Sequence, residues 1–280
     1  MKKRTLNPDD VQSFVNYLHR NTSKSSNTID SYRHALLTIY KTMGSIDKQS
    51  VEKFRDTMLG RFSAKTINLY IIAYNCYCVD FLRKPGMKVR NIKIARALFI
   101  DNVPTIQEVT TILEGLKNDG KMKDYYLILL LSQTGARVSE IRNFKIEDLQ
   151  NGYAQILGKG RKMRTIFIPK KTAAEAFLFF KEMYHSDTGY IFKGQKAENI
   201  STRGIAEQIQ RIGKRYGIRK EVCHPHAFRH YFAKRFLKSS RNNIVMLADL
   251  LGHASVDTTA IYLRMSQAET QKKFNNLVDW

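Results

Sequence analysis

The residues best equipped for chemistry stand in a few short stretches. Thr134-Gly135-Ala136-Arg137-Val138-Ser139-Glu140 follows an apolar run with an arginine, and the carboxylate three positions on can reach back to brace it. Taken alone, that spacing describes a surface ion pair equally well. His224-Pro225-His226-Ala227-Phe228-Arg229-His230 gathers three histidines and an arginine at the start of a helical pattern, where unpaired backbone N–H groups also attract anions. Zinc fits this cluster poorly, because its ligands would be imidazole only and the arginine would repel a cation. A phosphate fits it better. Leu250-Leu251-Gly252-His253-Ala254-Ser255 ends one helix at a glycine and starts another at a serine, leaving His253 in the turn. Nine residues later Tyr262 sits between Ile261 and Leu263, where an isolated tyrosine would be read as core packing.

The series Arg137, Lys159, His226, Arg229, His253 and Tyr262, in that order, resembles the tyrosine recombinase family, the phage-integrase-like site-specific recombinases. The resemblance rests on T-G-A-R-V-S-E, a glycine-lysine-glycine turn at Gly158-Lys159-Gly160, H-A-F-R-H, L-L-G-H and the tyrosine that follows, and it spans Thr105 to Trp280. It implies metal-free DNA strand cleavage and rejoining, with a phosphotyrosyl bond at Tyr262 as the intermediate and no cofactor. Two guanidinium forks, Arg137 and Arg229, would neutralise the charge that builds on the nonbridging oxygens, with His226 and His253 adding hydrogen bonds. His226 would be the base, Lys159 on its hairpin tip the acid for the departing 5′ oxygen, and Glu140 the brace of Arg137. Because the cations needed are already side chains, cleavage is expected to survive EDTA. A non-catalytic DNA-binding regulator would share the charge and scaffold but has no use for the full catalytic set. A type IB topoisomerase shares the tyrosine and arginine logic but would relax DNA that lacks any special site.

The elements that must position these residues are mostly helical. Four amphipathic patterns fill the first 85 residues: Val11, Phe14, Val15 and Leu18 behind Asn7 and Pro8; about 27 to 43, ending at Gly44; Val51, Phe54 and Met58; and a fourth behind Ser63 that runs to Pro85-Gly86. This four-helix segment looks like the SAM-like core-binding domain of the same family, by helix pattern only. Between Gly86 and Pro104 the apolar rhythm is lost while Lys88, Arg90, Lys93 and Arg96 recur, which predicts a basic linker over 87–104 between a core-binding domain at 1–86 and a catalytic domain at 105–280. Thr105-Ile106-Gln107-Glu108 reads as a capping box. Strand signals are strong only at Tyr153 to Leu157 and Arg164 to Ile168, a hairpin with a cationic tip. Lys88, Arg90, Lys93 and Arg96 in the linker and Arg161, Lys162 and Arg164 around the tip are the expected DNA contacts. The fold class is therefore mainly α with one small β-hairpin.

Bulk composition agrees with a nucleic-acid partner. The 280 residues carry 47 lysines and arginines against 25 aspartates and glutamates, a net charge of +22, and such an excess calls for a polyanion. Length favours two compact domains. The apolar stretch from Tyr125 to Leu131 is too short to span a bilayer, and no apolar run follows the basic start, so a cytoplasmic location is expected. Cys76, Cys78 and Cys223 read as reduced core thiols. The first helix begins so early that no separate arm-binding domain is expected before it. After Tyr262, Phe274, Leu277, Val278 and Trp280 give a short helix an apolar edge. The resemblance implies that this tail docks on a neighbouring protomer, with four subunits on two duplexes. The target sequence, direction of recombination and any accessory proteins are not encoded in readable form.

Overall fold

The structure, a computed structural model, describes residues 8–94, 102–157, 163–194, 198–253, 255–264 and 267–278. Contacts divide the chain into two compact units, 1–96 and 97–280.

The first unit contains α1 (Pro8–Asn21), α2 (Ser26–Met43), α3 (Lys48–Thr57) and α4 (Ala64–Cys76). Ser25, Asp47 and Ser63 start α2, α3 and α4 by accepting hydrogen bonds from the amides of Thr28, Ser50 and Thr66. Such a cap contributes about 1 kcal/mol. Gly44 stops α2 in the left-handed region at φ 75°. Val11, Phe14 and Leu18 of α1 share one core with Ile29, Leu36 and Ile39 of α2 and Ile67, Ile71 and Tyr74 of α4. The fourth pattern does not continue as α-helix to Pro85. It widens into a π-helical turn over Tyr77–Phe81, where the Leu82 amide donates to the Tyr77 carbonyl, and Cys76, Tyr77 and Cys78 are all buried. The extra residue in the turn helps these three consecutive-face side chains to share one core, which a regular helix would send to different sides.

The segment expected to be linker begins as part of this unit. Asn75 pairs with both backbone groups of Val89 at 2.9 Å, and Asn68 does the same for Ile92 at 2.7 and 2.9 Å. These asparagines are seven residues apart on one face of α4, so their amides act as a sheet edge to which an extended chain can bond. Val89 turns inward, and Lys88, Arg90 and Lys93 are exposed. Arg96 lies outside the described residues.

The second unit runs α5 (Ile106–Asn118), α6 (Met122–Thr134), α7 (Val138–Ile141), α8 (Ile146–Asn151), β1 (Tyr153–Leu157), β2 (Met163–Phe167), α9 (Lys170–Tyr184), α10 (Thr202–Arg215), α11 (Pro225–Ser239), α12 (Ile244–Leu251), α13 (Val256–Ala260), a 3-10 turn (Ile261–Leu263) and α14 (Gln267–Leu277). Thr105 and Glu108 form the expected capping box of α5, with bonds of 2.7 and 3.1 Å. β1 and β2 pair antiparallel with Tyr153 opposite Phe167 and Leu157 opposite Met163. Helix α6 is buried along Tyr126 to Ser132 and centres a large core with α5, α8, α9 and α10. A smaller core joins Ala233 and Leu237 of α11, Leu247 and Leu251 of α12, and Tyr262. Helix α11 spans both, giving Phe228 to the first and Ala233 to the second, and Arg229 falls at the junction.

Candidate active site

Each functional side chain is held by a local device that its sequence supplies. Gly135 ends α6 at φ +61°, and a Cβ there would stand 2.4 Å from the Phe232 ring. Only glycine accepts both conditions, and the resulting turn aims the Gly135 carbonyl at α11. Arg137 follows in extended conformation and precedes the single turn α7. Glu140 reaches back, accepting from the Arg137 amide at 2.7 Å and from its guanidinium Nη1 at 2.7 Å. The brace expected from the i, i+3 spacing is therefore present. The Arg137 side chain stays 41% exposed, so its fork can meet a ligand.

His224 caps α11, its Nδ1 accepting from the Ala227 amide at 3.2 Å, which gives one of the unassigned histidines a structural task. Pro225 starts the helix, and one turn in, Arg229 lies 2% exposed. A buried guanidinium needs acceptors. Nη1 donates to the Gly135 carbonyl at 2.7 Å, and Nη2 donates to the Leu251 carbonyl at 2.7 Å and lies 3.0 Å from His253 Nε2. Burial, then the charges of Arg137 and Arg164, draw its pKa down to about 10, so it remains a cation at neutral pH.

Gly252 ends α12 at φ +60°, and His253 follows it. Because Arg229 can only donate, His253 Nε2 must accept, which puts the ring proton on Nδ1, 2.7 Å from Thr259 Oγ1. Burial and the neighbouring Arg229 and Arg137 pull the His253 pKa down to about 4, keeping the ring neutral. Thr259 is fully buried and orients the ring by accepting from this Nδ1–H. Sequence reasoning missed it, since nothing in the string Thr258-Thr259-Ala260 marks one hydroxyl as facing a histidine across a turn.

Tyr262 is 5% exposed and belongs to the smaller core, so the packing reading of this residue and a chemical one describe the same side chain. Its ring lies 6.3 Å from that of His253 in near-parallel orientation and 5.3 Å from that of His230. Burial raises its pKa, and the positive charge of Arg229 works against that rise. His226, on the exposed start of α11, stands edge-on to His230 at 4.3 Å. Loss of water around its ring, then the charge of Arg229, lowers its pKa. His230 Nδ1 is buried without a hydrogen-bond partner, and burial drives that ring to about 4.

Arg164 departs from its expected place. It was assigned to the DNA-facing tip of the hairpin, but its side chain is only 9% exposed and turns inward to Glu140. The physical reason lies in the pleat: Arg164 is opposite Ile156 and shares that strand's inward face, while Tyr153, Leu157, Met163 and Phe167 line the outward one. Lys159, Arg161 and Lys162 lie outside the described residues. A cleft of about 1040 Å³ runs along the site, lined by Arg137, Arg164, Gly252, His253 and Thr258 together with the hairpin.

The arrangement thus concentrates Arg137, Arg229, His226, His253 and Tyr262 in one region, where the buried Glu140 carboxylate offsets part of the positive charge. Such a site is built to receive an anion and to place a phenol beside it. Comparison with known proteins agrees. Residues 103–269 match the phage integrase family, and residues 11–79 match the phage integrase N-terminal SAM-like domain. Over 274 residues the chain is 31% identical to tyrosine recombinase XerA of Pyrococcus furiosus, covering 95% of this chain and 93% of that protein. It is 26% identical over 284 residues to tyrosine recombinase XerC of Xanthomonas campestris pv. campestris, covering 95% and 87%. Among solved structures it is similar to XerH site-specific recombinase bound to difH substrate in a pre-cleavage complex, with TM-score 0.68, 21% identity and coverage of 96% and 84%. It is also similar to the Tn1549 transposon integrase in complex with transposon right-end DNA, with TM-score 0.69, 17% identity and coverage of 97% and 99%. At those identities the structures speak to the fold.

Proposed function

Since this chain belongs to the phage integrase family and is a site-specific tyrosine recombinase, we propose that Tyr262 is its nucleophile and that Arg137, Arg229, His226 and His253 hold the scissile phosphate of a DNA duplex. The observation that carries this is the buried Arg229 guanidinium, which meets His253 Nε2 at 3.0 Å, with the Tyr262 ring lying near-parallel to that of His253 at 6.3 Å. In the reaction the Tyr262 oxygen attacks phosphorus, its proton passes to His226, and the bond from phosphorus to the 5′ oxygen breaks. Lys159 gives that oxygen its proton. A 5′ hydroxyl from another strand then reverses the sequence, so no bond energy is lost and no nucleotide is consumed. Arg137 offers the first exposed donors to an arriving phosphate. Arg229, held by the Gly135 and Leu251 carbonyls and by His253, offers the phosphate its remaining N–H donors.

The exposed Lys88, Arg90 and Lys93, with Arg96, Arg161 and Lys162, grip the duplex backbone. The domain division is a core-binding unit, a basic connection and a catalytic unit, with the first part of the connection fastened to the core-binding unit. Relatives named as Xer recombinases over nearly the full length favour a short core site, and four protomers in the cytoplasm, linked through the C-terminal helix, would assemble two such sites. The test uses nicked suicide duplexes cut from the DNA flanking the gene, incubated with wild-type protein and with Tyr262→Phe. Denaturant-resistant protein–DNA adducts are expected with the wild type alone. Adducts with both proteins, or with neither on a duplex that both bind, would refute the assignment.

A further inference from the structure

We infer that Arg164 is a positioning residue which locks the hairpin strand to both the Arg137 brace and the His253 turn, and so sets the geometry and charge of the phosphate site. The inference deepens the reading of Tyr262 chemistry and rests on it. Its geometry is a three-way tie. Nη1 donates to both oxygens of Glu140 at 2.7 and 2.8 Å, and Nη2 donates to the carbonyl of Leu250, at the end of α12. Glu140 in turn holds Arg137 by backbone and side chain. One guanidinium thereby connects β2, the start of α7 and the turn that presents His253. The stem is equally constrained, because a Cβ on Gly252 would stand 2.6 Å from Arg164 Cδ and 2.9 Å from its Nε. Gly252 is thus required twice, for its left-handed backbone and as the floor on which Arg164 lies.

The charge balance gives the tie a chemical consequence. Glu140 is 4% exposed, and burial pushes its carboxyl up, but the Arg137 amide and the Arg164 and Arg137 guanidiniums outweigh this and hold it below its ordinary value. A carboxylate serving Arg137 alone would cancel the charge that Arg137 must offer a phosphate. Shared with Arg164, it orients Arg137 while leaving a net positive site. Arg164 Nε is buried without a partner, a cost that a merely decorative ion pair would not retain.

The test compares wild type, Arg164→Met, Arg164→Lys, Glu140→Gln and the double variant Arg164→Met/Glu140→Gln, all full length, on a pool of nicked duplexes enriched by the wild-type protein from a randomised library. Single-turnover adduct formation at saturating DNA is expected to fall about 30-fold or more in Arg164→Met, with affinity for the pool changed less than about threefold. Lysine keeps the charge but lacks the fork, so Arg164→Lys recovers only part of the rate. The double variant is no slower than the worse single one, because the two residues act as a unit. A loss of affinity with a salt slope reduced by about one, and an unchanged rate at saturation, would make Arg164 a phosphate contact and overturn the inference; so would additive effects. If the wild type itself forms no adduct, the reading of Tyr262 fails, and Arg164 is judged on the free protein instead. There, hydrogen exchange at the Arg137 backbone amide, which donates to Glu140, is expected by NMR to quicken about tenfold or more in Arg164→Lys, and unchanged exchange would overturn the tie.

Discussion

His253 illustrates how much a single residue's chemistry depends on its second hydrogen bond. Its Nε2 accepts from the donor-only Arg229, and Thr259 holds the ring in place by accepting from Nδ1–H on the other side. Replacing Thr259 with valine keeps the volume and removes the acceptor. Adduct formation on bound DNA is expected to slow about ten- to thirtyfold while the fold survives, and Thr259→Ser should restore most of the rate. Equal rates for threonine and valine in a single-turnover assay would show that the ring is held without this hydroxyl. Two histidines also tie stability to pH. His230 and His253 both fall from 6.5 to about 4 in the folded chain. Between those values the unfolded chain binds more protons, so stability present above pH 6.5 is lost as the pH falls towards 4. Urea midpoints should therefore decline from pH 7 to pH 5, and His230→Phe should flatten that decline. An identical slope in the variant would place the proton uptake on other groups. Glu140, whose pKa is lowered, acts in the same direction but below the ordinary carboxylate value of 4.5.

At the scale of elements, two glycine turns and one helix start bring the site together. Gly135 and Gly252 end α6 and α12 in the left-handed region, and each lies where a neighbouring side chain occupies the space a Cβ would need. Gly135→Ala must move Phe232 and strain the backbone, which should cost about 2–4 kcal/mol in a urea titration. A loss below about 0.5 kcal/mol would mean that the turn relaxes freely. The hairpin shows the opposite economy. Its inward face is committed to the core and to Glu140, and its outward face leaves Leu157, Met163 and Phe167 each more than 60% exposed. The segment after Gly86 is likewise divided by its elements: Asn68 and Asn75 fasten Ile92 and Val89 to α4, and Arg90 between them, with Lys88 and Lys93 on either side, faces outward.

For the whole molecule, a net charge of +22 is distributed over a chain whose chemical site needs only a few of those cations. The remainder suits a long duplex, and its contribution to affinity should fall with added salt. No single helix among the described residues is long and apolar enough to cross a membrane. The C-terminal helix α14 leaves Phe274 57% and Leu277 68% exposed. An apolar edge of that kind is the surface we propose for the neighbouring protomer. Deleting residues 274–280 should weaken cooperative assembly on paired sites and leave binding of one protomer to a half-site within about twofold. A gel-shift titration with unchanged cooperativity would remove the tail from the assembly.

The chemistry of this protein was legible in the sequence because its reacting groups are of rare types in a fixed order, and because caps and glycine stops are local signals. Ser63, Thr105 with Glu108, Gly44 and Gly252 each act within a few residues of their own position, so the string alone places them. The π-helical turn at Tyr77, the capture of Val89 and Ile92 by α4, the hydroxyl of Thr259 and the inward turn of Arg164 were not legible in the same way. Each depends on which partner lies across a turn or on a distant element, and a hydrogen bond from Arg164 to Leu250, 86 residues away, leaves no local periodicity. Sequence thus determined the family and the order in which a tyrosine, two arginines and histidines stand along the chain, the set we propose meets a phosphate. Tertiary structure decided which cation faces the ligand and which one, buried against Glu140, holds the others in place.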